Sequence, residues 1–268
     1  MKSAMTSCTV EGAAQEPLAG RQKPRIAIFS LTSCEGCSLA ILELEDKLLD
    51  ILGEVDIVNF REGMTERDWN IDVAFVDGAV STAEDEAEIR HLRESSKILV
   101  AIGACACLGG VNTLKHYQPA ETYRETVYGD KAVCFPTQQA RPLSALVKVD
   151  FELPGCPMVK EEFLRFVTSV LAGRTFHLPN YPVCVECKKS GVLCRYEMGE
   201  ICLGPVTRAG CAAICTRYGL RCTGCRGLID DDALAALGRN VQERFGPSAP
   251  DVLADLRFFG AYQGSELP

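Results

Sequence analysis

Eight of the fifteen cysteines in this 268-residue chain fall between Cys184 and Cys225, spaced Cys184-x2-Cys187-x6-Cys194-x7-Cys202-x8-Cys211-x3-Cys215-x6-Cys222-x2-Cys225. The segment has few apolar runs and many Gly, Pro and polar residues. About forty residues of this kind bury too little apolar surface to fold unaided, so disulfides or metal ligands have to organise them. Residues 1–20 are polar, with no charged-then-apolar signal layout and no Arg-Arg pair, which leads to the expectation of a cytoplasmic chain. Thiols are kept reduced there, so metal ligation is the expectation for the cysteines. Eight thiols make two sets of four, enough for two tetrahedral zinc sites or two iron–sulfur clusters. The spacing reads nearly the same from either end and leaves the grouping open.

Upstream, apolar runs alternate with amphipathic stretches. Strands are expected at Arg25–Ser30, Val55–Phe60, Asp72–Val80, Lys97–Ile102 and, more weakly, Leu146–Phe151; helices at Ser38–Leu52, closed by Gly53, then Ala83–Glu94 and Met158–Ala172. Near-continuous Val/Ile/Ala strands alternating with helices predict an α/β fold, a doubly wound parallel sheet covered on both faces. Ligands of such sheets collect beyond the carboxyl ends of the strands.

The remaining cysteines of interest stand at those ends. Leu31-Thr-Ser-Cys-Glu-Gly-Cys-Ser38 follows the first strand, Gly103-Ala-Cys105-Ala-Cys107 the fourth, and Pro154-Gly-Cys156-Pro157 the fifth. Cys34 and Cys37 alone, at a helix N-terminus that lowers thiolate pKa, suit a redox dithiol or a metal site equally. Cys105 and Cys156 on the same rim tip the balance, because four converging thiolates make the ligand set of a [4Fe–4S] cluster. Glycines at 36, 103, 109, 110 and 155 allow backbone to approach such a group closely. Cys107 reads as a buried apolar thiol, and Cys8 and Cys134 as structural or exposed. In the cysteine-rich segment, Cys202-Leu-Gly-Pro205 is similar to the Cys-Pro punctuation of ferredoxin-type runs and leans toward iron–sulfur.

A net charge of −8 removes the electrostatic footprint of a nucleic-acid binder, and no apolar run reaches the ~20 residues that span a bilayer, so no direct membrane insertion is expected. Asp230–Phe245 reads as an amphipathic packing helix with Leu234, Leu237, Val241 and Phe245 on one face. Phe258, Phe259 and Tyr262 read as exposed aromatics able to dock on a partner.

Taken together, Cys34-x-Gly-Cys37, Gly103-Ala-Cys105-Ala and Pro154-Gly-Cys156-Pro resemble the proximal-cluster motifs of [NiFe]-hydrogenase small subunits. The tail from Cys184-Val-Glu-Cys187 to Cys222-Thr-Gly-Cys225-Arg-Gly is similar to the cytoplasmic branch of that family: the methyl-viologen-type, F420-non-reducing hydrogenases and the sulfhydrogenases. The resemblance spans roughly Arg25 to Ile229. It implies a flavodoxin-like domain at 24–179 holding a proximal [4Fe–4S] cluster on Cys34, Cys37, Cys105 and Cys156. It further implies a ferredoxin-like module at 180–228 whose eight cysteines hold medial and distal [4Fe–4S] clusters, flanked by a polar segment at 1–23 and a C-terminal helix and tail at 229–268. Three [4Fe–4S] clusters, a large subunit carrying the nickel–iron centre, and an acceptor iron–sulfur or flavin subunit are the implied cofactors and partners. The related complex I subunit fits less well, since it has adjacent cysteines in the first motif and lacks the cysteine-rich tail. Glu35, between the first two cysteines, either moves protons near the large-subunit centre or, more plainly, caps the helix and meets its dipole. The competing readings are a zinc-stabilised adaptor with a dithiol switch at Cys34 and Cys37, and a complex I-like or stand-alone iron–sulfur carrier.

Overall fold

Strand β1 (Arg25–Ser30) lies inside the chain's sheet, paired on both edges, and both of its faces are apolar. Ile26 and Ile28 enter one core, Ala27 and Phe29 the other. The computed structural model describes residues 23–117, 119–229, 231–246 and 252–260; the polar N-terminal segment, Cys8, Asp230 and Tyr262 lie outside the described residues. Around β1 stand β2 (Asp56–Phe60), β3 (Ile71–Asp77), β4 (Ser96–Ile102) and β5 (Phe151–Leu153), in the order β2-β1-β3-β4-β5 with every pair parallel. This is the strand order of flavodoxin-like sheets.

Helices α1 (Gly36–Leu42) and α2 (Asp46–Glu54) cover one face together with α6 (Lys160–Leu171), whose Phe163, Phe166 and Val167 join Ile41, Ile51, Phe75 and Val100 in a single core. On the other face, α3 (Ala83–Ser95) and α4 (Gly103–Leu108) bury Ile89, Leu92, Ala106 and Cys107 against Ala74, Val76 and Leu99. The start of α3 is a capping box: the Thr82 hydroxyl accepts the Asp85 N–H and the Asp85 carboxylate accepts the Thr82 N–H, an arrangement worth ~1 kcal/mol.

Three sequence expectations are corrected. The helix expected over Ser38–Leu52 is two helices, broken at Glu43–Glu45 where Glu45 takes φ +52°, and α2 runs on through Gly53 instead of ending there. The apolar stripe survives the break, since Ile41, Leu44, Leu48 and Ile51 still meet one core. The strand expected at Leu146–Phe151 begins only at Phe151: a 3-10 turn over Leu143–Ala145 precedes it, and Leu146, Val147 and Val149 pack on the α3 face outside the ladder. β3 ends at Asp77, three residues before the expected boundary.

Between α4 and Pro142 the chain makes 3-10 turns at Gly110–Tyr117 and Gly129–Cys134 around α5 (Ala120–Tyr128). The cysteine-rich segment carries α7 (Val183–Lys189) and α8 (Ile214–Arg217), followed by α9 (Asp231–Phe245) and α10 (Val252–Phe258). Its few apolar side chains do find a core. Ile201, Leu203 and Val206 pack with Leu234, Leu237 and Val241 of α9 and Val252 and Leu256 of α10, and Phe245 closes the edge, so α9 is the packing element its periodicity indicated. Phe258 is exposed, whereas Phe259 is buried, contrary to expectation. No helix among the described residues is long and apolar enough to cross a membrane.

Candidate metal centres

The carboxyl ends of β1, β3, β4 and β5 form one rim, and four cysteines stand along it. Cys34 lies in the loop after β1, Cys37 in the first turn of α1, Cys105 in α4 and Cys156 just past β5. Their mutual influence is direct. Cys37 senses Cys105 and Cys156, Cys105 senses Cys156 and Cys34, and Cys156 senses Cys34. The backbone is drawn tight around the sulfurs: a β-carbon on Gly103 would lie 2.3 Å from the Cys37 Sγ, and one on Gly110 2.5 Å from the Cys105 Sγ. Two donors aim at these thiols. The Met158 amide stands 3.5 Å from the Cys37 Sγ, and Asn112 Nδ2 stands 3.7 Å from the Cys105 Sγ while also donating to the Thr32 carbonyl at 3.2 Å.

The electrostatics are the reverse of a reactive dithiol. Burial, and then the Asp77 carboxylate, push Cys37 far above its ordinary value, and the same two causes push Cys105 up to about 12. Cys156 keeps solvent-exposed surface, yet the protein around its thiol, then Cys34 and Asp77, raise it too. The expectation that the helix N-terminus would lower thiolate pKa is therefore overturned for Cys37: desolvation outweighs the partial charge of a seven-residue helix. Nucleophilic cysteines sit in electropositive surroundings. A metal taking the proton's place would turn such thiols into anions, as coordinating thiols behave.

Asp77 is the site residue that sequence reasoning missed. It ends β3, is 2% exposed, and is raised to about 6, chiefly by burial, against the pull of the Gly78 amide and Cys37. Its signal was present: a carboxylate closing an apolar parallel strand, followed by Gly78, belongs to the ligand-binding rim. Glu35, at φ +60°, makes no side-chain cap on α1; its carboxylate pairs with Arg61, which corrects the capping reading. Cys107 is buried with its thiol donating to the Ala101 carbonyl, and Cys134 is exposed, both as expected.

Among the tail cysteines, Cys184, Cys187, Cys194 and Cys202 line one cavity with Tyr196, Gly204, Pro205 and Thr216. Cys184 is pushed up to about 12 by burial and then by Cys202, Cys187 and Cys194. A β-carbon on Gly204 would come 3.3 Å from the Cys184 Sγ and 3.5 Å from the Cys202 Sγ. Of the other four, Cys225 is pushed up to about 11 by burial and senses Cys211 and Cys215, while Cys222, pushed by burial up to about 12, senses Cys202 and Cys225. The Cys211 loop is held in an unusual shape. Ala212 and Ala213 take φ +52° and +51°, and the Glu186 carboxylate of α7 accepts the Gly210 and Ala213 N–H groups at 2.9 and 3.2 Å. All described cysteines are free of disulfides.

The groups adjoin. Cys225 lies close enough to Cys156 for the Cys156 amide to lower its thiol pKa and the Cys156 thiol to raise it, and the Cys222 N–H donates to the Cys202 Sγ at 3.2 Å. Thiols raised by burial at Cys37, Cys105, Cys156, Cys184, Cys202, Cys211, Cys222 and Cys225, glycines whose missing β-carbons face the sulfurs of Cys37, Cys105 and Cys184, and amides beside Cys37 and Cys202 fit iron–sulfur ligation.

Comparison with known proteins agrees. Residues 34–170 match the family model described as NADH ubiquinone oxidoreductase, 20 Kd subunit. The chain is 40% identical to the sulfhydrogenase 2 subunit delta of Pyrococcus furiosus over 82% of its own length and 92% of that protein's. It is 32% identical to a subunit of the F420-non-reducing hydrogenase vhu of Methanocaldococcus jannaschii, covering 88% and 94% of the two chains. Among solved structures, a chain of an NAD+-reducing [NiFe]-hydrogenase in the H2-reduced state superposes with a TM-score of 0.54 at 29% identity, covering 59% of this chain and 96% of that one. The chain therefore belongs to the NADH ubiquinone oxidoreductase 20 Kd subunit family, and within it to the iron–sulfur small subunits of [NiFe]-hydrogenases.

Proposed function

We propose that twelve cysteines of this electron-transfer subunit hold three [4Fe–4S] clusters in series. Cys34, Cys37, Cys105 and Cys156 hold the proximal one, Cys211, Cys215, Cys222 and Cys225 the medial one, and Cys184, Cys187, Cys194 and Cys202 the distal one. The observation that supports this reading is the order of proximity, Cys156 beside Cys225 and the Cys222 N–H on the Cys202 Sγ, which sets the Cys211–Cys225 group between the other two. Such clusters supply one-electron exchange over roughly −700 to +450 mV, a range that includes the proton/hydrogen couple at about −0.41 V, seven pH units at about 59 mV each.

The protein's own part is placement. The sheet rim presents the exposed Cys34 and Cys156 to a large subunit that performs the hydrogen chemistry, and the buried Asp77 and the aimed amides tune the thiolates behind them. At the far end Cys194 is exposed beside Leu193 and Met198, also exposed, a fitting face for an acceptor iron–sulfur or flavin subunit. The division into a flavodoxin-like domain at 24–179 and a two-cluster module at 180–228 belongs to the same proposal.

Anaerobic purification tests it. About a dozen irons per chain, a broad visible band bleached by dithionite and a co-purifying nickel-containing chain are the expected results. Zinc in place of iron, with no visible band, overturns the reading.

A further inference from the structure

Arg226 is the largest fully buried side chain among the described residues, and it is charged. Its guanidinium spends every direction on a partner. Nε donates to the Ala209 carbonyl at 3.0 Å, Nη1 to the Pro154 carbonyl at 2.6 Å, and Nη2 to both carboxylate oxygens of Glu162 at 3.0 and 2.9 Å. Glu162, on α6, is also 1% exposed, and Arg165 adds a longer contact to it at 3.4 Å. Gly210 leaves the space, since a β-carbon there would lie 2.5 Å from Arg226 Nη2 and 2.7 Å from Glu162 Oε1.

The partners are distributed in a telling way. Pro154 is two residues before Cys156 on the sheet rim, Ala209 is two before Cys211, and Arg226 itself follows Cys225. One side chain thus ties the loop of a proximal ligand to the loops of two ligands of the neighbouring group, at the place where Cys156 adjoins Cys225. A buried ion pair contributes little net stability compared with apolar residues of equal volume. Geometry, and a fixed charge beside the thiolates, are what it adds.

We propose that Arg226, with Glu162 as its counter-ion, is the positioning residue that sets the separation and relative potential of the Cys34–Cys156 and Cys211–Cys225 thiolate groups. The inference rests on those groups holding redox-active iron–sulfur clusters. Arg226 acts as a three-way clamp: its fork fixes the approach of the two loops, and Glu162 offsets a positive charge that favours the more anionic, reduced state.

The test uses the full iron-loaded chain under anaerobic conditions, poised with redox mediators and followed by electron paramagnetic resonance. Among the signals of the three clusters, wild type should show a pair split or broadened by proximity, one member of which Cys211→Ser abolishes. Glu162→Gln keeps the shape and leaves the Arg226 charge uncompensated. At unchanged iron content, the midpoint of that signal should rise, about a tenfold change in reduced-to-oxidised ratio, or about 59 mV for one electron. Arg226→Lys keeps the charge without the fork and should weaken the splitting. If a single change sheds iron, the paired Arg226→Met, Glu162→Leu variant, which leaves no unpaired buried charge, should retain iron and lose the splitting. Unaltered midpoints and splitting in every iron-retaining variant, with only the melting temperature lowered, make the pair merely structural and overturn the proposal. A wild type without such a coupled pair overturns the reading of the clusters instead, and the clamp with it.

Discussion

Gly103 shows how narrowly the metal rim is built. It opens α4 at φ +82°, where an L side chain costs roughly 1–2 kcal/mol, and its absent β-carbon would fall 2.3 Å from the Cys37 Sγ. Gly103→Ala is expected to displace that sulfur and lower iron by about four atoms per chain. Gly53→Ala is the control: it has open space around it inside α2, and should be neutral or stabilising by about 0.5–1 kcal/mol with iron unchanged. Iron analysis with chemical denaturation reads both. At this scale the places of the rim cysteines were legible in the sequence, because they follow strand ends in Gly- and Pro-marked turns, where the structure also puts them. Asp77 and Arg226 were not. A carboxylate and a guanidinium read as solvated until the fold buries them, and the Arg226–Glu162 contact joins positions 64 residues apart.

Among the elements, α6 carries the heaviest load. Phe166 is fully buried, with ring centres 5.7 Å from Phe75, 5.1 Å from Phe151 and 5.2 Å from Phe176, which tie the helix to β3, β5 and the segment leading to α7. Phe166→Ala should cost about 3–5 kcal/mol, through lost transfer energy and the cavity left behind, seen as an earlier denaturant midpoint. Element type was well indicated by pattern, and β1 was found with its expected boundaries. Boundaries failed where two rules competed. The stripe Ile41, Leu44, Leu48 and Ile51 reports which face is buried, and it does not require one continuous helix beneath it. Leu146, Val147 and Val149 are apolar because they cover α3, and lie outside the ladder. The stretch from Gly110 to Cys134 has little periodicity to read, since its 3-10 turns are short and half exposed.

On the scale of the whole molecule, the chain returns to its own middle. Arg221 of the cysteine-rich segment pairs with Asp255 of α10, and α10 then lies beside the turn at Gly110–Tyr117. Thr113 Oγ1 donates to the Arg257 carbonyl at 3.4 Å, and the Arg257 guanidinium sits 5.4 Å from the centre of the Tyr117 ring. The same turn carries Asn112, which steadies the Cys105 thiol. Removal of everything after Phe245 takes away no cysteine, yet it should loosen that turn. The expected result is faster loss of iron to a chelator from the Cys34–Cys156 group, followed through the signal that Cys211→Ser leaves in place but frees from its splitting. A ribosome delivers Arg257 long after Cys105, so the first thiol pocket in the sequence acquires its final shape only when synthesis has passed α10. For the cluster proposed there, loading is then expected late in the life of the polypeptide, after completion of a helix that contributes no cysteine to it.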